Sequence, residues 1–112
     1  MEIQELVKEM TRKLLTTKEY NQYHTLLERV KSNPELYGRI GDFRRRSIYL
    51  NLEEGENRIQ ANNNLQNEFR DLLNNGLASD FLVAERQYCR LVSEIQDALY
   101  EGAGIDTSFL DQ

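Results

Sequence analysis

Residues 80–100 read DFLVAERQYCRLVSEIQDALY. Phe81, Ala84, Tyr88, Leu91, Ile95 and Ala98 recur at alternating steps of three and four, the a/d seam along which one α-helix packs against another. Leu82, Cys89, Val92 and Leu99 widen that seam on one flank. At ~1.5 Å per residue the element is about 30 Å long. A stripe this long needs partners over its whole length, and a chain of 112 residues has few other helices to offer. The expected fold is therefore all-α: a bundle of four to five helices, completed by dimerisation. Phe81, Tyr88, Leu91 and Ile95 are the expected self-association residues, some of them shared with the chain's own core.

Upstream, Asn74-Asn75-Gly76 reads as a stop, after which Ser79 or Asp80 is expected to cap the last helix. Residues 56–75 carry a sparse stripe of Ile59, Leu65, Phe69, Leu72 and Leu73. Asn62-Asn63-Asn64 competes for backbone hydrogen bonds there, so this helix is expected to fray or start late. Ser32-Asn33-Pro34-Glu35 is the strongest start signal: Asn33 can cap, Pro34 suits the first helical position and Glu35 suits the positive helix end. The helix it opens carries Leu36, Ile40, Phe43 and Leu50 and should end near Glu54-Gly55. Gly38 and Gly41, one turn apart inside it, are either tolerated or leave a shallow groove for another helix.

At the N-terminus, Ile3, Leu6, Val7, Met10 and Leu14 share one face of a helix over about residues 3–15. Thr16 and Glu19 have capping-box spacing. A second helix follows to about Lys31 with Tyr20, Tyr23, Leu27 and Val30 on its stripe, and the spacing leaves open whether the two are separate or one bent rod. At the other end Gly102 and Gly104 close the last helix. Ile105, Phe109 and Leu110 in the tail are expected to dock on the body. No repeat or linker divides the chain, which reads as one helical domain over 1–101 with a tail over 102–112.

Fourteen Lys and Arg against nineteen Asp and Glu give a net charge of −5. An acidic chain repels phosphate backbones, which disfavours nucleic acid as the main partner. The longest apolar run, Phe81–Ala84, falls far short of the roughly 20 residues of a membrane span, so no membrane insertion is expected. Met1-Glu2-Ile3-Gln4-Glu5 lacks the pattern of a signal peptide, and a single cysteine fits a reducing compartment. A soluble cytoplasmic protein is the expectation.

The candidate chemistry is thin. His24 with Glu28 offers two ligands on one face, where a metal site needs three or four; position 21, where a di-iron bundle would need a glutamate, is Asn21. Cys89 lies at the edge of an apolar stripe and is expected to be a buried, reduced thiol. Glu53, Glu54 and Glu56 cluster at a helix end with no apolar pocket to shift a pKa, which makes them a solvated surface. Gly38-Arg39-Ile40-Gly41 lacks the preceding strand and the lysine of a phosphate loop. Arg44-Arg45-Arg46 fan over about 200° of helix, so they form no single patch. Either they are a solvated face with one internal pair, or one or two of them anchor an acidic partner. With no convergent acid, base and nucleophile, neither enzyme activity nor a cofactor is expected.

Four blocks carry a resemblance: Thr17-Lys18-Glu19-Tyr20-Asn21-Gln22-Tyr23, Asn33-Pro34-Glu35-Leu36, Phe43-Arg44-Arg45-Arg46 and Phe81-Leu82-Val83-Ala84-Glu85. In this order and spacing, over about residues 3–100, the chain resembles the YlbF/YmcA family of Firmicutes. The resemblance implies an all-α fold with long antiparallel helices pairing between chains, and an adaptor role without catalysis. Such adaptors bind one another and a membrane-associated endoribonuclease, and so affect mRNA processing, competence, sporulation and biofilm formation. By the match, Phe43 and Arg44 fall on the family's Phe-Arg motif, Asn33-Pro34 on its helix start and Ala84-Glu85 on the start of its final helix. This chain departs from the pattern at Ser47 and Leu50-Asn51. Some members are associated with iron–sulfur clusters held by several cysteines, and Cys89 alone cannot supply such ligation within one chain.

The expected function is a non-catalytic regulatory adaptor whose partners are its own copies, family paralogues and the endoribonuclease. Leu36, Ile40, Phe43 and Arg44 form the expected partner surface. The alternative is direct RNA binding through Arg39 and Arg44 to Arg46, with Tyr49 as a stacking base.

Overall fold

The computed structural model describes residues 2–50, 52, 55–106 and 108–111. Among the described residues there are six α-helices and no strand. They are α1 (Glu2–Leu14), α2 (Lys18–Lys31), α3 (Pro34–Leu50), α4 (Gly55–Glu68), α5 (Arg70–Leu73) and α6 (Gly76–Gly102), followed by a 3-10 turn over Ser108–Asp111. α5 is a single turn, so the five longer helices are the ones that the apolar periodicity predicts.

The helix ends show where local chemistry decides. α1 and α2 are separate, and the cap of α2 is Thr17, one residue after the expected Thr16: the Tyr20 N–H donates to Thr17 Oγ1 at 3.2 Å. The Thr16 hydroxyl donates instead to the Lys13 carbonyl at 2.7 Å, so it is used in closing α1. At α3 the Leu36 N–H donates to Asn33 Oδ1 at 3.2 Å and Pro34 opens the helix, as its residue types require. α4 departs from expectation. It starts at Gly55 and runs unbroken through Asn62, Asn63 and Asn64, whose exposed side chains face water. Leu65 on the opposite side is buried, and that anchorage outweighs the poor propensity of the asparagines. The last helix also starts earlier than expected, at Gly76. Asn75 rather than Ser79 or Asp80 is its cap, with the Ala78 N–H donating to Asn75 Oδ1 at 3.0 Å.

α6 closes in a Schellman turn. Gly104 sits at φ 75°, the Ile105 N–H reaches the Tyr100 carbonyl at 3.1 Å and the Gly104 N–H reaches the Glu101 carbonyl at 3.2 Å. The tail then holds itself locally. Asp106 Oδ1 accepts from the Ser108 N–H at 2.9 Å and from its hydroxyl at 2.7 Å. Ile105 and Phe109 remain exposed, so the expected docking of these two does not occur. The Leu110 side chain lies outside the described residues, as do Glu53, Glu54 and the Glu56 side chain, and with them the carboxylate cluster; α3 stops at Leu50, short of the expected end near Glu54-Gly55, and Gly55 opens α4 instead.

The chain divides into two compact units, Met1–Tyr23 with Ala84–Gln112, and His24–Val83. The second holds the better core: Val30, Ile40, Leu65, Phe69, Leu72, Ala78 and Phe81 are buried. α3 and the segment after it form an antiparallel hairpin, since Arg39 meets Asp71, Phe43 meets Phe69 and Arg46 meets Glu68. Phe69 breaks helical geometry between α4 and α5, at φ −105° and ψ 22°, and its ring is wholly buried. The Phe43 ring meets it edge-on at 5.4 Å.

The other unit is held differently. Among its described residues only Ala84 is a buried hydrophobe, and α1 has no buried residue. Tyr88 lies between Tyr20 (5.4 Å, edge-on) and Tyr23 (5.5 Å, stacked), pairings worth about 0.5–1.5 kcal/mol each beyond area burial.

Candidate interaction surface

α1 is amphipathic and its apolar side faces water. Ile3, Leu6, Val7 and Met10 are 62, 63, 50 and 40% exposed, and only Leu14 at the end of the stripe is half-buried. Isolated exposed leucines are ordinary, but a contiguous apolar stripe on a soluble helix marks a contact site. The same unit carries a second uncovered run on α6: Val92, Leu99 and Tyr100 are exposed beside the half-buried Leu91 and Ile95. In the other unit Ile48, Tyr49, Leu52 and Ile59 are exposed near the α3–α4 connection.

The expected self-association residues divide along this line. Phe81 is completely buried and belongs to the core of its unit. Tyr88, Leu91 and Ile95 are half-buried and lead into the uncovered part of α6. The expected partner residues turn further inward. Ile40 is fully buried and presents no surface. Phe43 is half-buried against Phe69, and Leu36 is half-buried beside a shallow cavity lined by Asn33, Arg39, Asp71 and Asn75. Arg44 is half-buried, its guanidinium carbon 5.5 Å from the centre of the Phe81 ring. Periodicity marks these residues as a helix face, and the chain itself covers most of that face. Gly38 and Gly41 are under no close packing: nothing approaches a methyl built at Gly38, and at Gly41 only the Arg45 guanidinium comes near, at 3.6 Å.

The arginines are engaged within the chain. Arg39 donates to Asp71 Oδ1 at 2.8 Å and to the Glu68 carbonyl at 3.1 Å, with its guanidinium 4.3 Å above the Phe69 ring. Arg46 makes a two-pronged pair with Glu68, at 2.8 and 2.6 Å. Arg45 pairs with Asp42 one turn back. The hydrogen bond from Arg46 holds the Glu68 carboxyl below its ordinary pKa and raises that of Arg46, and the hydrogen bond from Arg39 lowers that of Asp71. One internal pair was expected among these arginines; Glu68 and Asp71 are partners that no pattern in the sequence marked. No spacing pointed to them: Arg39 and Arg46 lie two turns apart and Glu68 and Asp71 only one, so the pairs follow from the hairpin and the break at Phe69.

Cys89 is exposed, not buried. It follows Tyr88 by one residue, a step of about 100° around the helix, and that turns it away from the side on which the tyrosines pack. Among the described residues no three His, Cys, Asp or Glu side chains are grouped to hold a metal. No helix among them is long and apolar enough to cross a membrane. A family model described as "Control of competence regulator ComK, YlbF/YmcA" matches residues 3–102. No curated protein and no solved structure matches the chain.

Proposed function

The chain belongs to the YlbF/YmcA family, and from that premise we propose that it is a helical adaptor, without a chemical step of its own, that self-associates and binds protein partners. The family description, control of the competence regulator ComK, indicates a regulatory role. The observation that carries the adaptor mechanism is the uncovered apolar stripe of α1, together with the exposed end of α6. A regulatory protein that keeps apolar helix faces in water keeps them for contact with another chain.

On this reading the protein forms a homodimer in the cytoplasm and engages family paralogues and a membrane-associated endoribonuclease. Through that complex it acts on mRNA processing, and so on competence, sporulation or biofilm formation. Tyr88, Leu91 and Ile95 serve self-association. Leu36, Phe43 and Arg44 form the partner face, with Ile40 supporting it from the core. The acid–base pairs brought together at Arg39 with Asp71 and Arg46 with Glu68 are exposed ion pairs, which support structure and offer no reacting centre.

Two measurements test the proposal. Sedimentation across the micromolar range should show a dimer, and co-purification with the candidate endoribonuclease should be lost when Arg44→Glu is introduced. A chain that stays monomeric, and that neither paralogue nor ribonuclease retains, refutes the adaptor reading. Direct RNA binding has the weaker support, because Arg39, Arg45 and Arg46 already hold carboxylates.

A further inference from the structure

The charges of α1 are ordered along its length. Glu2, Glu5 and Glu9 occupy mainly its first half, and Lys8, Arg12 and Lys13 its second. A helix dipole favours that order within one chain. The same order also makes the helix complementary to a copy of itself lying in the opposite direction, whose dipole then opposes its own. The apolar side fits the same symmetry. Ile3, Val7, Met10 and Leu14 step by four, three and four and fall within about 60° of arc at ~100° per residue, which is an a/d seam of about three turns.

We propose that the occupant of the α1 stripe is α1 of a second copy of this chain, lying antiparallel across a two-fold axis between Val7 and Met10. The proposal rests on the self-association reading above and names its contact. In this register Ile3 faces the second copy's Leu14, and Val7 faces the second copy's Met10. Exchanging the copies reproduces each pair, as a closed two-fold interface requires. Leu6 flanks the seam on the side that carries Glu2 and Lys13; Glu9 lies on the outer edge of the same flank, where it meets the second copy's Glu9 and tempers the attraction. Antiparallel pairing brings Lys13 of each copy to within about two residues, or ~3 Å along the axis, of the level of the other's Glu2. Parallel pairing would instead set this flank against the uncharged Gln4 and Thr11 of the other copy, forgoing both Glu2–Lys13 pairs and aligning the helix dipoles. Gln4 and Thr11 on the other flank are uncharged and oppose neither arrangement.

The test uses the full chain in a Cys89→Ser background, so that only introduced thiols react. After mild air oxidation, a mixture of Ile3→Cys and Leu14→Cys chains should give a covalent heterodimer, as should Val7→Cys with Met10→Cys. Ile3→Cys alone should remain uncrosslinked. Separately, Lys13→Glu and Glu2→Lys should each weaken the dimer several-fold, and the double variant should restore it, because the swapped charges again meet opposite signs. A dominant Ile3→Cys self-crosslink means parallel pairing and overturns the proposal. A dimer that forms no α1 crosslink and ignores both charge reversals overturns the α1 contact while leaving self-association standing. A wild-type chain that is monomeric throughout the micromolar range removes self-association itself.

Discussion

Replacing Leu6 and Val7 together by glutamine separates association from folding. In the single chain Leu6 is 63% and Val7 50% exposed, and no residue of α1 is buried. Glutamine is a good helix former, so the isolated chain should lose no more than about 0.5 kcal/mol of stability per site. Association is another matter. Full burial of such a side chain is worth about 1.5–3 kcal/mol, so covering the half or more that remains in water is worth roughly 1 kcal/mol each. Two residues on each of two chains give about 4 kcal/mol, a loss of roughly a thousandfold in dimer affinity. Sedimentation equilibrium measures the affinity. Urea unfolding followed by circular dichroism, at concentrations below dissociation, measures the fold without the coupling of stability to assembly. A loss above about 1.5 kcal/mol per site in the monomer would mean that the stripe packs within the chain. Unchanged sedimentation would mean that nothing docks on it. Either result refutes the reasoning.

Phe69→Ala empties the centre of the His24–Val83 unit, where the ring is buried beneath Phe43 and Arg39. It should cost about 4 kcal/mol in urea unfolding, with Phe69→Leu costing much less. Asn75→Ala removes the acceptor for the Ala78 N–H and should cost about 1 kcal/mol while speeding amide exchange at the start of α6, whereas Asn75→Asp should be tolerated. The Glu68 and Asp71 carboxyls are held below their ordinary values by Arg46 and Arg39. Their contribution is therefore complete above the ordinary carboxylate range and is lost as acidification protonates them in the folded chain. Unfolding midpoints measured against pH should fall on the acid side, and Glu68→Gln should flatten that fall; an unchanged acid limb would discount the pair. Filter binding at low salt should retain no RNA, and salt-dependent retention abolished by Arg44→Glu would revive the nucleic-acid reading.

Helix identity was local and therefore legible. Apolar steps of three and four, Pro34 behind Asn33, and the Gly104 turn act within a few residues, and each reappears in the fold where its chemistry requires. The caps fall at Thr17 and Asn75, one residue after Thr16 and a few before Ser79, because a threonine or asparagine can serve the helix before it or the one after it. Which role it takes depends on where the neighbouring helix stops.

What the sequence by itself determined is which side of each helix is greasy: 3.6-residue periodicity follows from backbone geometry alone. Only the tertiary structure decided which greasy sides are covered. Ile40 and Phe81 lie on stripes no stronger than that of Ile3, Leu6 and Val7, yet the first two are completely buried and the other three face water. Burial depends on whether a second surface arrives, and that is a property of chain connectivity and packing, not of any one stripe. The arginines follow the same rule. One internal arginine pair was expected, without a partner named; the hairpin supplies Asp71 to Arg39 and Glu68 to Arg46, because an ion pair across the chain needs two segments that only folding brings together.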